Sequence, residues 1–153
     1  MSEASDARVT IRAAERTDGP ALASLMTELG YETRTAEMEI RLEMIMKDPR
    51  YRTFVAVSDG KICGMIGTFC LYSYEHNDPS GRILALVVSE AKRSRGVGAQ
   101  LIATAETDFA ERNISRIAVN THVKRKEAHL FYEKMGYERN GFRFVKTLSV
   151  LAD

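Results

Sequence analysis

Val87-Val88-Ser89-Glu90-Ala91-Lys92-Arg93-Ser94-Arg95-Gly96-Val97-Gly98 is the stretch on which the fold turns. The apolar run Ile83 to Val88 leads into it and reads as a strand covered on both faces. A long helix leaves it, from about Gly96 to Arg112, with Val97, Leu101, Ile102, Ala105 and Phe109 at helical spacing and Asn113 to cap its end. Between the two lies a basic turn with two glycines. A helix N-terminus presents unpaired N–H groups and partial positive charge, so it attracts phosphate. Gly96 and Gly98 let the backbone approach an anion, and Lys92, Arg93 and Arg95 add full charges. The segment lacks the Lys-Ser/Thr end of a P-loop and the three-glycine dinucleotide fingerprint. By residue type alone it is equally a basic turn that starts a helix.

Working outward, Val9-Thr10-Ile11-Arg12 alternates as a first strand. Asp18-Gly19-Pro20 reads as a helix start, with Asp18 as the capping side chain and proline in the first turn. Leu22, Leu25, Met26 and Leu29 follow at helical spacing, and Gly30 stops them. A second helix runs from about Thr35, with Met38, Leu42 and Ile45 on one face, and Asp48-Pro49 ends it. Thr53 to Val57 and Ile62 to Tyr74 form a hairpin across Asp59-Gly60. Glu75 to Gly81 is a polar loop. After the long helix come a strand at Ile117-Ala118-Val119 and a short helix over Lys126 to Lys134 that stops at Gly136. Tyr137 to Arg139 and Phe142 to Leu148 read as a last hairpin. The order β-α-α-β-β-β-α-β-α-β-β is that of an α/β chain with a mixed, mostly antiparallel sheet and helices on both faces.

The 153 residues suit one domain, 1–153, with 1–8 as a flexible N-terminus. Hydrophobic residues are 44% and charged residues 28%. The 22 basic and 21 acidic residues nearly cancel, so no whole-protein field draws in nucleic acid or membrane. Met1 to Arg8 is polar, unlike a signal peptide. No apolar run approaches the roughly 20 residues of a membrane span. Cys63 and Cys70 lie seven apart in one expected strand, which puts them on opposite faces and out of reach of each other. A reducing, cytoplasmic location is expected. Three histidines without short spacing give no metal site.

Two segments together resemble the GNAT family of N-acetyltransferases. Arg93-x-x-Gly96-x-Gly98 is similar to that family's pyrophosphate loop, and Ala128-His129-Leu130-Phe131-Tyr132-Glu133-Lys134-Met135-Gly136-Tyr137 to its second motif, in the family's order and spacing. The resemblance runs from Val9 to Leu148. Leu29-Gly30-Tyr31, Gly64-Met65-Ile66-Gly67, Val123-Lys124-Arg125 and Phe142-Arg143-Phe144 extend it toward the aminoalkylphosphonate and aminoglycoside 6′-type branch, which acts on small amines.

The resemblance implies a splayed central sheet with acetyl-CoA as co-substrate. Leu86, Val87 and Val88 would offer backbone groups to the pantetheine arm. The pyrophosphate would rest on Arg93, Ser94, Arg95, Gly96, Val97, Gly98 and Ala99, with Ala128 and Phe131 also on the cofactor. Tyr132 would be the general acid, and the Val88 N–H a donor to the thioester carbonyl. The implied reaction is direct attack of an amine on that carbonyl, which needs a proton route and a donor to the developing oxyanion.

The chain departs from its relatives at the base. Arg82 and Ala85 hold positions where many members carry a carboxylate, and Arg125 stands where asparagine is frequent. Glu28, Glu32, Glu75 and His76 are the remaining candidates, or water relays the proton. Glu28, Tyr31, Glu32, Glu75 and His122 are the candidate acceptor residues, and their acidic and aromatic mixture suits a cationic amine. The expected partner is a small-molecule amine, with a homodimer as a candidate assembly. Two other readings stay open: a protein lysine or N-terminal acetyltransferase, and a CoA-binding regulatory module without turnover.

Overall fold

The computed structural model describes residues 8–120 and 126–150. The chain forms two compact units, Met1–Val119 and Asn120–Asp153.

In the first unit β1 (Val9–Ala13), β2 (Tyr51–Ser58), β3 (Lys61–Leu71), β4 (Ser80–Val88) and β5 (Ile117–Val119) form one sheet in sequential order. The first four strands are antiparallel, and β5 joins β4 in parallel. Asp59 and Gly60 both take positive φ, 53° and 74°, the geometry of the tight hairpin turn that an Asp-Gly pair favours.

Helices cover both faces. α1 (Gly19–Leu29) and α2 (Thr35–Met46) bury Leu22, Ala23, Leu25, Met38 and Leu42 against Val55, Met65 and Val87. α3 (Val97–Glu111) lies on the other face, burying Val97, Leu101, Ile102, Ala105 and Phe109. Two neighbours on β3 show the division. Met65 belongs to the α1–α2 cluster, whereas a Cβ on Gly64 would come within 3.2 Å of Leu101 and 3.4 Å of Val97. The missing side chain lets the first turn of α3 settle onto the sheet.

Three local expectations change. Asp18 does not cap α1 with its side chain; its carboxylate turns back to Arg12 and the Glu15 N–H, at 2.7–2.9 Å. The strand that carries Cys63 and Cys70 is not an unbroken ladder: β2 and β3 shift register between Ala56 and Val57, leaving Cys63 as the extra residue. The side-chain alternation flips there, so Ile62 and Met65 pack against the same cluster. Both cysteines are free. The run Ile83–Val88 is not covered on both faces, because a second bulge leaves Leu84 unpaired with β3 and 56% exposed.

The second unit contains α4 (Lys126–Lys134), ending at Gly136 with φ 95°. The Tyr137 N–H returns to the Tyr132 carbonyl at 2.9 Å, closing the helix end as the glycine predicts. The hairpin expected over Tyr137 to Leu148 is not formed; residues 137–150 carry no regular secondary structure. A hairpin by itself is marginal in water. Phe142, Phe144, Val145 and Leu148 are 68–90% exposed and supply no packed face to hold one.

Candidate active site

The site is built from the end of β4. Its parallel pairing with β5 stops at Ile83–Val119, immediately before the bulge at Leu84. From there to Val88 no described strand lies along its outer side. The antiparallel register decides which groups face that side. Ser89 donates to the Cys63 carbonyl at 2.8 Å. Because bonded and non-bonded pairs alternate, Val87 and Ala85 spend their backbone groups on β3, opposite Met65 and Gly67. Leu86 and Val88 therefore turn their N–H and C=O groups outward. Of Leu86, Val87 and Val88, the first and last turn backbone groups away from β3, while Val87 is a core residue bonded to it.

The outward Val88 carbonyl is already engaged, accepting from Arg93 Nε at 3.0 Å. The chain turns through a single helical turn at Glu90–Lys92 and passes Ser94, a non-glycine residue at φ 65°. Gly96 then enters α3 at φ 82°, a left-handed conformation that suits glycine, and caps the helix with no side chain. The first helical bond in α3 runs from the Gln100 N–H to the Gly96 carbonyl, 3.1 Å. The amides of Val97, Gly98 and Ala99 are left without a helical acceptor. Arg93, Ser94 and Arg95 are exposed and Lys92 is half-buried, so positive charge lines the approach to these donors. Val97 is buried in the core and has only its backbone to offer.

Glu28, at the end of α1, sits against this loop. Its Oε1 accepts the Glu90 N–H at 3.0 Å and lies 3.9 Å from Arg93 Nη2. Nothing in the sequence pattern pairs these residues, which are 62 positions apart. Tyr31 is 59% exposed just past α1; Glu32, Glu75 and His76 are also exposed, and Tyr72 and Tyr74 lie at the start of the β3–β4 loop. The exposed Arg82 and the half-buried Ala85 supply no carboxylate to β4. Cys63 is buried, and desolvation pushes its thiol pKa up, with Lys92 opposing, so it is poorly suited to act as a nucleophile. Among the described residues no group of three or more His, Cys, Asp or Glu is placed to hold a metal ion. No described helix is long and apolar enough to cross a membrane.

In α4, Ala128, His129, Phe131 and Tyr132 are half-buried. The Tyr132 ring meets Phe131 edge-on at 5.3 Å and Tyr137 at 5.8 Å between centroids. These contacts fix the ring by aromatic packing. His122 and Arg125 lie outside the described residues.

An open strand edge that runs into a basic, glycine-capped helix N-terminus defines a class of α/β protein with room for a strand-like ligand that carries phosphate. The comparisons name the family. Residues 19–137 match the model of the acetyltransferase (GNAT) family, and the chain belongs to that family. It is 34% identical over 101 residues to the aminoalkylphosphonate N-acetyltransferase of Salmonella typhimurium, a match covering 66% of each chain. A GNAT family acetyltransferase of Staphylococcus aureus superposes with a TM-score of 0.79 at 27% identity, over 92% of this chain and 98% of that one. The aminoglycoside N-acetyltransferase AAC(6')-Iy, solved with CoA, shares the fold at TM-score 0.84 and 18% identity, over 94% and 97% of the two chains.

Proposed function

We propose that this protein transfers acetyl from acetyl-CoA to the primary amine of a small molecule by direct attack. The observation that carries the reading is the strand edge at Leu86 and Val88, which continues into amides without a helical acceptor at the start of α3. In this reading the pantetheine arm lies along β4 as an added strand. The diphosphate meets the N–H groups between Arg93 and Ala99, with Arg93 and Arg95 supplying charge. Ala128 and Phe131 contribute to the cofactor side through their motif.

The amine nitrogen attacks the thioester carbon, the C–N bond forms, and the carbonyl oxygen takes negative charge. The outward Val88 N–H is the donor for that oxygen. The C–S bond then breaks, and Tyr132, whose role rests on its motif, protonates the departing thiolate. A phenol pKa of about 10 and a thiol pKa of about 8.5 are close enough for that transfer. The amine proton passes to water, since Arg82 and Ala85 leave no carboxylate on β4 to take it. Tyr31, Glu32, Glu75 and His122 are the acceptor-side residues in this scheme, and a cationic amine suits them. Two free cysteines are compatible with a cytoplasmic setting.

Thiol release from acetyl-CoA, measured across aminoalkylphosphonates, aminoglycosides, polyamines and lysine peptides, tests the reading. Turnover on a small amine is expected, and turnover confined to peptides would replace it with the protein-substrate alternative. On the amine that works, Tyr132→Phe should leave acetyl-CoA affinity intact and lower kcat about 10²-fold, the low end for general acid catalysis. Wild-type kcat in that variant, with chemistry rate-limiting, removes Tyr132 from the mechanism.

A further inference from the structure

Glu28 is placed to act on the cofactor loop. Glu90 opens a one-turn helix, and its N–H is one of the donors such a turn leaves without an internal acceptor. Glu28 Oε1 fills that need at 3.0 Å. The turn is closed by a good bond from Lys92 N to Ser89 O at 2.9 Å, but its second bond, Arg93 N to Glu90 O, is long at 3.4 Å. It is followed at once by Ser94 in a left-handed conformation that a side chain disfavours. A loop held in such a shape needs an outside anchor, and the carboxylate from α1 is one.

We propose that Glu28 is a positioning residue for the acetyl-CoA loop, and that it acts through its hydrogen bond to the Glu90 amide. The proposal rests on the acetyl-CoA reading above, and it reassigns Glu28 from the acceptor pocket. Two contacts compete as the source of the effect. The ion pair to Arg93 is long, at 3.9 Å, and its side chains are 52% and 37% exposed, so solvent screens it. The hydrogen bond to the Glu90 amide has ordinary length, 3.0 Å, and is charge-assisted. A carboxylate beside a diphosphate loop also repels the ligand, so charge alone predicts that removing it tightens binding. The brace predicts the opposite sign.

Calorimetric titration with acetyl-CoA separates these. Glu28→Ala should weaken binding about tenfold, the scale of one hydrogen bond to a charged group. Glu28→Gln, which keeps the oxygen acceptor and drops the charge, should recover about half of that loss on a logarithmic scale. In kinetics the Glu28→Ala loss should fall on KM for acetyl-CoA rather than on kcat or on KM for the amine. In a Glu90→Pro background, where the N–H is gone and proline fixes the turn, Glu28→Ala should have no further effect. Hydrogen exchange at the Glu90 amide of the wild type gives a readout that needs no variant, and protection is expected there. Binding by Glu28→Ala as tight as wild type, binding by Glu28→Gln as weak as Glu28→Ala, or an unprotected Glu90 amide each overturns the proposal. Absence of acetyl-CoA binding by the wild type would instead overturn the proposed function, and this inference with it.

Discussion

Arg12 and Asp18 make a two-pronged ion pair, with hydrogen bonds at 2.8 and 2.9 Å and the Asp18 side chain 7% exposed. The hydrogen bonding from Arg12 holds the Asp18 carboxyl below the usual carboxylate range, while burial pulls the other way. A carboxyl whose folded pKa is depressed stabilises the fold above its unfolded pKa of about 3.9, and the contribution fades as pH falls through the folded value. Asp18→Asn should therefore cost about 1–2 kcal/mol at pH 7 in chemical denaturation, toward the low end because Arg12 is 42% exposed. The gap between the two proteins should close as pH drops below about 4. An acid-independent gap would contradict this account. Asp18-Gly19-Pro20 marks the start of α1, but the Asp18 carboxylate bonds Arg12 and the Glu15 N–H rather than the helix N-terminus. Local sequence shows that an acceptor is available, but Arg12 reaches it from β1, a separate strand.

At the scale of elements, the junction of β3, β4 and β5 depends on Gly81. It pairs with Cys70 on one side and Ile117 on the other, and its N–H donates to the Arg116 carbonyl at 2.8 Å. A Cβ there would stand 2.8 Å from two ring carbons of Phe109, which is fully buried. An aromatic ring in a packed core cannot move aside as an exposed chain end can. Gly81→Ala should cost about 1–3 kcal/mol, the range for overpacking, and should loosen the point where β5 meets β4. A denaturation midpoint equal to wild type would show that α3 can shift on the sheet. At this scale the helices, the hairpin turn and the strand at Ile117–Val119 were legible, because periodicity and turn residues are local signals. The two bulges were not. Leu84 and Cys63 sit inside apolar runs that read as uninterrupted, and an extra residue becomes visible only when the partner strand fixes the register.

For the whole molecule, a ligand that binds only the folded state stabilises it by mass action. Acetyl-CoA at about 100 times its dissociation constant should add about 2.7 kcal/mol, raising Tm by about 5–10 °C for a chain of this length. The shift should shrink as salt rises from about 0.1 to 1 M, because the screening length falls from about 10 to about 3 Å while diphosphate capture is electrostatic. A melting curve indifferent to acetyl-CoA in low salt would count against the binding site at the α3 N-terminus.

The sequence by itself determined the order of elements from β1 to α4, the family and the basic, glycine-containing turn that opens α3, because helix periodicity, glycine at left-handed positions and basic charge are properties of short segments. Tertiary structure decided what those segments do to one another. It turned Leu86 and Val88 outward and Val87 inward, since hydrogen-bond alternation follows the register with β3. It also gave Glu28 to the loop, since only the packing of α1 beside the end of β4 brings a carboxylate within 3.0 Å of the Glu90 amide.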